Sequence, residues 1–316
     1  MQNSKTNGLD CFKVNILGCG SAKPTLRHSP TAQIVNFRGN LFLVDCGEGV
    51  QIGLARNRIP VGKIGHILLS HLHGDHCLGL VGLISTLGLG QRTGEIVIHA
   101  HKDAERIFQP LFDFFCPNLS MKVSFQSFDT RVSQVIYEDD SLLIKTIPLN
   151  HRVPAAGFLF QEKPRDRHLL VEKCEALGIP FAYYRGIKKG MDWTNPVTGE
   201  VIPCEMLTSD PTPSKSYAFC SDTMYSESIV PIIKGCDVLY HESTYSNVDA
   251  LKAHQRGHST SVEAATIAMK AEVCRLLLGH YSSQFQTYED EEMLLEEAKQ
   301  IFPHTVLTRE QMVIDI

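Results

Sequence analysis

Short apolar runs alternate with glycine-rich turn clusters through the first hundred residues. Residues 12–17 (Phe-Lys-Val-Asn-Ile-Leu) stop at Gly18-Cys19-Gly20-Ser21, and residues 40–45 (Asn-Leu-Phe-Leu-Val-Asp) stop at Cys46-Gly47-Glu48-Gly49. Such runs, bounded by turn residues, predict strands. Residues 64–70 form a third apolar run, and 95–100 and 123–125 continue the strand content. Between them, 79–89 is small and apolar, the pattern of a buried helix, and 102–115 predicts a helix ended near Pro117. A further strand over 142–147 leads to Leu149-Asn150-His151.

Residues 161–213 break this rhythm. They are charged and turn-rich, end in Asp210-Pro211-Thr212-Pro213-Ser214 and hold the only tryptophan, Trp193. They are expected to form an insertion that leaves the core of a single domain spanning 1–316. The β-rich pattern resumes over 216–220, a helix is predicted over 261–269 and a strand over 275–278. Residues 289–300 predict an acidic helix, expected as a solvated face.

Hydrophobic content of 43% and charged content of 21% are those of a soluble globular chain. No apolar run approaches the roughly 20 residues that span a bilayer. The polar start, Met1-Gln2-Asn3-Ser4, lacks a signal-peptide core, so a cytoplasmic protein without membrane contact is expected. Ten cysteines are scattered singly and lack a C-x-x-C pair, which fits reduced, buried thiols. Net charge is −5, yet the insertion is locally basic. Lys163, Arg165, Arg167, Lys173, Arg185, Lys188 and Lys189 outnumber Asp166, Glu172 and Glu175, with Phe181, Tyr183 and Tyr184 among them. That mixture suits nucleic-acid contact and equally suits a solvated surface insertion.

The chemistry concentrates at His71-Leu72-His73-Gly74-Asp75-His76. In an extended segment alternate residues share a face, so His71 and His73 can reach one metal ion. A helical turn at Gly74 would aim Asp75 and His76 at a second. Imidazole with carboxylate suits zinc, with manganese or iron as alternatives. Gly18-Cys19-Gly20 is not a dinucleotide fingerprint, because the third glycine is absent and Pro24 interrupts the helix that must follow. His151, Asp222 and His280 each follow a predicted strand, where catalytic groups gather. Singly, each also reads as a capping or core polar residue.

Taken in order, these elements resemble the ribonuclease Z family of metallo-β-lactamase-fold hydrolases, which process the 3′ end of transfer RNA. The marks are Gly18–Ala22 with Pro24, Val44–Gly49, Ser70–His76, His151–Phe158 and Ser221-Asp222-Thr223. They continue with His241-Glu242-Ser243-Thr244, Gly257-His258-Ser259-Thr260 and Gly279-His280-Tyr281-Ser282. The resemblance implies an α/β fold, an αββα sandwich with an inserted flexible arm. It implies two Zn2+ per chain, one held by His71, His73 and His151, the other by Asp75, His76 and His280, with Asp222 bridging. Asp45 would orient a ligand imidazole from behind. Asp75 would orient or deprotonate the nucleophile, and His258, held by Glu242, would protonate the leaving oxygen. Without the resemblance, His241–Glu242 reads as a strand-end pair and His258 as a cap for a helix near Ser259. Precursor transfer RNA would be gripped by the arm, with Lys163, Arg165, Arg167, Arg185, Lys188 and Lys189 as contacts, in a homodimer.

Two places depart from the family pattern. Arg27 is followed by His28 rather than by asparagine, and Gly178-Ile179-Pro180 lacks the usual Gly-Pro turn after it. Two other functions stay open: a phosphodiesterase acting on small or cyclic diesters, and a non-catalytic RNA-binding subunit with a degenerate metallo-hydrolase fold.

Overall fold

The computed structural model describes residues 11–316. The described residues divide into two compact units, one comprising residues 11–138, Ile144–Phe160 and Lys215–Ile316, the other Asp139–Leu143 and Gln161–Ser214.

The first half supplies β1 (Phe12–Gly18), β2 (Ala32–Phe37), β3 (Asn40–Val44), α1 (Val50–Arg56), β4 (Ile64–Leu68), α2 (Gly74–Cys77), α3 (Gly79–Leu89), β5 (Glu95–His101), α4 (Asp103–Phe115) and β6 (Lys122–Phe128). Next come β7 (Val135–Glu138), β8 (Leu142–Leu149) and β9 (Ala155–Glu162). The second unit holds β10 (His168–Leu169), α5 (Val171–Ala176), α6 (Tyr184–Lys188), β11 (Trp193–Thr194), β12 (Val201–Ile202), α7 (Cys204–Leu207) and β13 (Thr208–Ser209). The chain closes with β14 (Ser216–Cys220), α8 (Val230–Ile233), β15 (Val238–Glu242), α9 (Ala250–Arg256), α10 (Ser261–Lys270), β16 (Arg275–Gly279), α11 (Tyr288–Lys299), β17 (Thr305–Leu307) and β18 (Val313–Asp315).

Two seven-stranded sheets form the body, in the orders β18-β1-β2-β3-β4-β5-β6 and β17-β16-β15-β14-β9-β8-β7. They face each other across apolar side chains: Phe42 of β3 meets Phe160 of β9 edge-on, ring centroids 5.8 Å apart. Buried faces of α1, α3 and α4 cover the outer side of the first sheet through Leu54, Leu83, Ile84, Phe108 and Phe112. Alanines 264, 265 and 268 of α10 let that helix lie close on β15 and β16. The result is a four-layer α/β sandwich. Within each sheet the strands that matter are parallel: β3, β4, β5 and β6 in one, β14 to β17 in the other. Their carboxyl ends therefore collect on one edge, where open parallel sheets bind ligands.

The second unit is more than a solvated excursion. Cys174, Ile179, Ile187, Trp193 and Leu207 build a small apolar core of their own, which needs residues from four separate short elements and a loop and so leaves no periodic signature. The acidic helix α11 also differs from a simple solvated face. Glu291 on its inner side is completely buried and is reached by Arg27 at 2.6 Å, His28 at 2.8 Å and Arg309 at 2.7 Å. Among the described residues no helix is long and apolar enough to cross a membrane.

Candidate metal centre

β4 delivers the chain at Leu68, the backbone is extended again at His73 (φ −70°, ψ 150°), and α2 begins at Gly74. The extended part aims His71 and His73 one way, and the helical turn aims Asp75 and His76 another. His151 follows β8, Asp222 follows β14 and His280 follows β16. Two ligand groups result, His71, His73, His151 and Asp222 in one and Asp75, His76 and His280 in the other. Asp222 lies between them, with Oδ2 3.6 Å from His71 Nε2 and Oδ1 3.3 Å from His76 Nε2 and 3.1 Å from His280 Nε2.

The outer nitrogens show which inner atoms carry lone pairs. His151 Nδ1 donates to the Gly257 carbonyl at 2.7 Å, and His76 Nδ1 donates to Asp45 Oδ2 at 2.7 Å. His71 Nδ1 and His280 Nδ1 face Ser70 Oγ at 3.0 Å and Thr244 Oγ1 at 2.9 Å. Each ring is thereby set to present its other nitrogen bare. His73 Nδ1 then stands 3.0 Å from His71 Nε2 and 3.2 Å from His151 Nε2, while His76 Nε2 and His280 Nε2 stand 3.2 Å apart. A single shared proton cannot satisfy three converging imidazole nitrogens. A cation can, so the donor set fits divalent metal in both groups.

Electrostatics agree. Burial pushes His71, His73 and His151 below the usual histidine value, toward neutral ligands. Burial also opposes charge on His76, yet Asp222 and Asp45 draw it well above that value, so a cation must displace a proton there. Asp75 and Asp222 resist the upward push of burial and stay far below the carboxylate range, because the His280 and His76 imidazoles lie beside both carboxylates. The Ala22 N–H also donates to Asp75 Oδ2 at 2.7 Å. Ala22, Asp45 and His280 all have left-handed backbones, φ 63°, 56° and 61°, a strain that the surroundings must hold and that collects at functional sites.

At the rim, His258 Nδ1 lies 2.9 Å from Glu242 Oε1. Glu242 is fully buried and also accepts from Thr223 N–H at 2.9 Å and Thr244 Oγ1 at 2.6 Å. Burial lowers His258, but Glu242 overrides it and the imidazole is raised to about 9. His258 is not a helix cap, since Thr260 caps α10 with a full capping box. Above these residues sits a cleft of about 320 Å3 lined by His73, Asp75, Asp222, His258, Arg152 and Arg256. Sequence reasoning gave no role to Arg152, Arg256 or Thr244, although Arg152 and Thr244 lie within recognised segments and Arg256 adjoins one.

Of the basic residues in the second unit, Arg165 pairs with Glu162 at 2.7 Å and Arg167 with Asp210 at 3.0 Å. Arg185 and Lys189 are exposed, and Lys163 and Lys188 are half-buried. The departure at His28 has a physical reason: its ring bridges Glu291 at 2.8 Å and Glu310 at 3.0 Å, tying the loop that carries Ala22 to α11 and to the chain before β18.

The fold and the two ligand groups define a metallo-β-lactamase-fold metal hydrolase. Human tRNase Z, short form, superposes with a TM-score of 0.68 at 22% identity, over 96% of this chain and 99% of that one. A family model described as anti-Pycsar protein Apyc1 matches residues 12–108, the segment that includes the opening histidine cluster. Over nearly the whole length the relatives are more specific. Ribonuclease Z of Bacteroides thetaiotaomicron is 48% identical over 98% of this chain and 96% of its own. Ribonuclease Z of Parabacteroides distasonis is 47% identical over 96% and 99%. The chain belongs to the ribonuclease Z family.

Proposed function

We propose that this protein is a cytoplasmic endonuclease that removes the 3′ trailer from precursor transfer RNA. The observation that carries the reading is the pair of buried Glu242 and half-buried His258, 2.9 Å apart, set at the rim of a complete double ligand group. His71, His73 and His151 would hold one cation, Asp75, His76 and His280 the other, with Asp222 shared. The N/O donor set favours Zn2+, with Mn2+ the alternative. Two such ions, when bound, supply Lewis acidity and an acidified water.

The chain's own groups do the rest. Asp75, kept ionised and pinned by the Ala22 N–H, orients the attacking water or takes its proton. Arg152 and Arg256 at the cleft mouth attract the phosphodiester. His258, kept cationic by Glu242, donates its proton to the departing ribose 3′-oxygen. The products are a 3′-hydroxyl on the transfer RNA and a 5′-phosphate on the trailer. In the second unit, Arg185, Lys188, Lys189 and Lys163 grip the transfer-RNA body; Arg165 and Arg167 hold the arm's shape through Glu162 and Asp210. A homodimer, in which one arm serves the partner's site, completes the reading.

The test is a precursor transfer RNA incubated with zinc-loaded protein, with the cut mapped by primer extension and end chemistry. Cleavage at the start of the trailer is expected. Deleting Lys163–Gly190 should lower precursor cleavage far more than hydrolysis of bis(p-nitrophenyl) phosphate. Protein that hydrolyses only the small diester, or that binds RNA without metal and cuts nothing, would refute the proposal.

A further inference from the structure

Two larger concave surfaces lie on the first unit outside the metal-facing cleft. The larger, about 900 Å3, is lined by Leu26, Arg27, Ile52, Tyr288 and Arg309 among others. Its cations are balanced by acids: Glu48, Glu292 and Glu310 line it beside Arg27, Arg56 and Arg309, and buried Glu291 pairs with both Arg27 and Arg309, which lie over the Tyr288 ring at 4.5 and 4.9 Å. Little positive charge is left there for an incoming anion.

The second surface, of about 750 Å3, runs from His101 and Lys102 past Arg131 to His151 and Arg152. Arg152 also lines the cleft over the ligand nitrogens, so the two concavities share a wall. Among the described residues neither Lys102 nor Arg152 has an acidic partner. The one acid lining the surface, Asp129, is occupied by Arg131, which approaches through its backbone N–H at 2.9 Å, Nε at 3.0 Å and Nη2 at 2.8 Å. Three cations against one acid leave a net positive path. Leu149, Val153 and Pro154 give that path an apolar wall.

Cations that track a backbone beside apolar surface are the chemistry of single-stranded nucleic-acid binding. At about 750 Å3 the concavity has the capacity of a small-ligand site, enough to enclose unstacked nucleotides but not the full width of a stem. Unstacked nucleotides enter it; a base-paired stem does not. In a precursor transfer RNA the long unpaired segment next to the cut is the trailer.

We propose that this cleft is the subsite for the single-stranded 3′ trailer, with Lys102 and Arg131 contacting its phosphates and Arg152 at the junction with the scissile one. The proposal rests on the endonuclease reading above and adds which part of the substrate is held, and where. It makes the enzyme sensitive to trailer length and not only to the transfer-RNA body.

The test uses zinc-loaded full-length protein in four forms: wild type, K102A, R131A and the double variant, with K102R as the charge-conserving control. Binding of a fluorescein-labelled oligouridylate of about six nucleotides is followed by anisotropy against salt. The double variant should bind roughly tenfold more weakly, with the log–log salt slope reduced by about 1.4, the value for two phosphate contacts on a single strand. K102R should bind as wild type does. In parallel, kcat/KM is measured on precursors with trailers of about one and about six nucleotides. The advantage of the longer trailer should shrink in the double variant. Unchanged oligonucleotide binding and salt slope would overturn the proposal, as would equal losses on both trailers. Wild-type protein that binds the oligonucleotide through these residues yet cuts no precursor would instead refute the endonuclease reading, and with it the trailer as occupant.

Discussion

Replacing Asp45 by asparagine removes one charge from behind His76 and spares the backbone, because asparagine tolerates the left-handed conformation (φ 56°) held there. Asp45 is completely buried and accepts three hydrogen bonds: Ser70 N–H at 2.8 Å on Oδ1, Ser70 Oγ at 2.9 Å and His76 Nδ1 at 2.7 Å on Oδ2. Asparagine offers one acceptor oxygen and a donor amide, so at least one of the three donors meets another donor whichever way the amide is turned. A buried group left unsatisfied costs about 1–3 kcal/mol, which should lower the melting temperature of the metal-free protein. Losing the acceptor that orients a ligand imidazole costs about 10–100-fold in metal affinity, or about 1.4–2.8 kcal/mol. The cation held with His76 should bear most of this. The other should shift less, since Asp45 reaches His71 only through Ser70. Stepwise zinc competition against a chromogenic chelator resolves the two steps. Two steps as in wild type, or two equally weakened ones, would refute the reasoning.

Three other substitutions probe neighbouring links. His258→Ala should keep both metals, by elemental analysis, and lose turnover about 10²–10⁴-fold, the range for a general acid; a variant that loses metal would make His258 a support instead. Gly257→Ala should weaken the cation held by His151, because φ is +80° and a Cβ would sit 2.9 Å from His151 Nδ1, and unchanged metal affinity would contradict that. His28 is buried, and burial alone would lower it, but Cys19, Glu291 and Glu310 raise it to about 12. A raised histidine stabilises fully below its unfolded value of 6.5 and loses that contribution as pH climbs toward about 12. His28→Ala should therefore cost about 3–5 kcal/mol in slightly acidic urea titrations and progressively less as the buffer becomes alkaline; a pH-independent difference would contradict the bridging role.

Much of the sheet architecture is legible because local pattern and burial coincide. The run 216–220 and β14 share both ends, and 79–89 matches α3 residue for residue. The strand Ala32–Phe37 escapes notice because its inner face carries polar Gln33, whose side chain meets the Tyr217 hydroxyl of the opposite sheet. The cluster at His71–His76 is spelled out locally, whereas His151, Asp222 and His280 become suspects only as residues that follow strands. Their convergence depends on parallel strands ending along one edge, which no single segment encodes. The buried role of Glu291 is invisible in an acidic helix, because Arg27, His28 and Arg309 come from remote positions. Arg152 likewise looks like any surface arginine until the two clefts that meet at it are seen.

The most direct measurement is an anomalous-scattering map from crystals grown with zinc, recorded on either side of the zinc edge. Two peaks are predicted, roughly 3.5–4 Å apart, one among His71, His73 and His151 and one among Asp75, His76 and His280, with Asp222 touching both. A map with no peak at either group, or with zinc bound only elsewhere on the chain, would contradict the account.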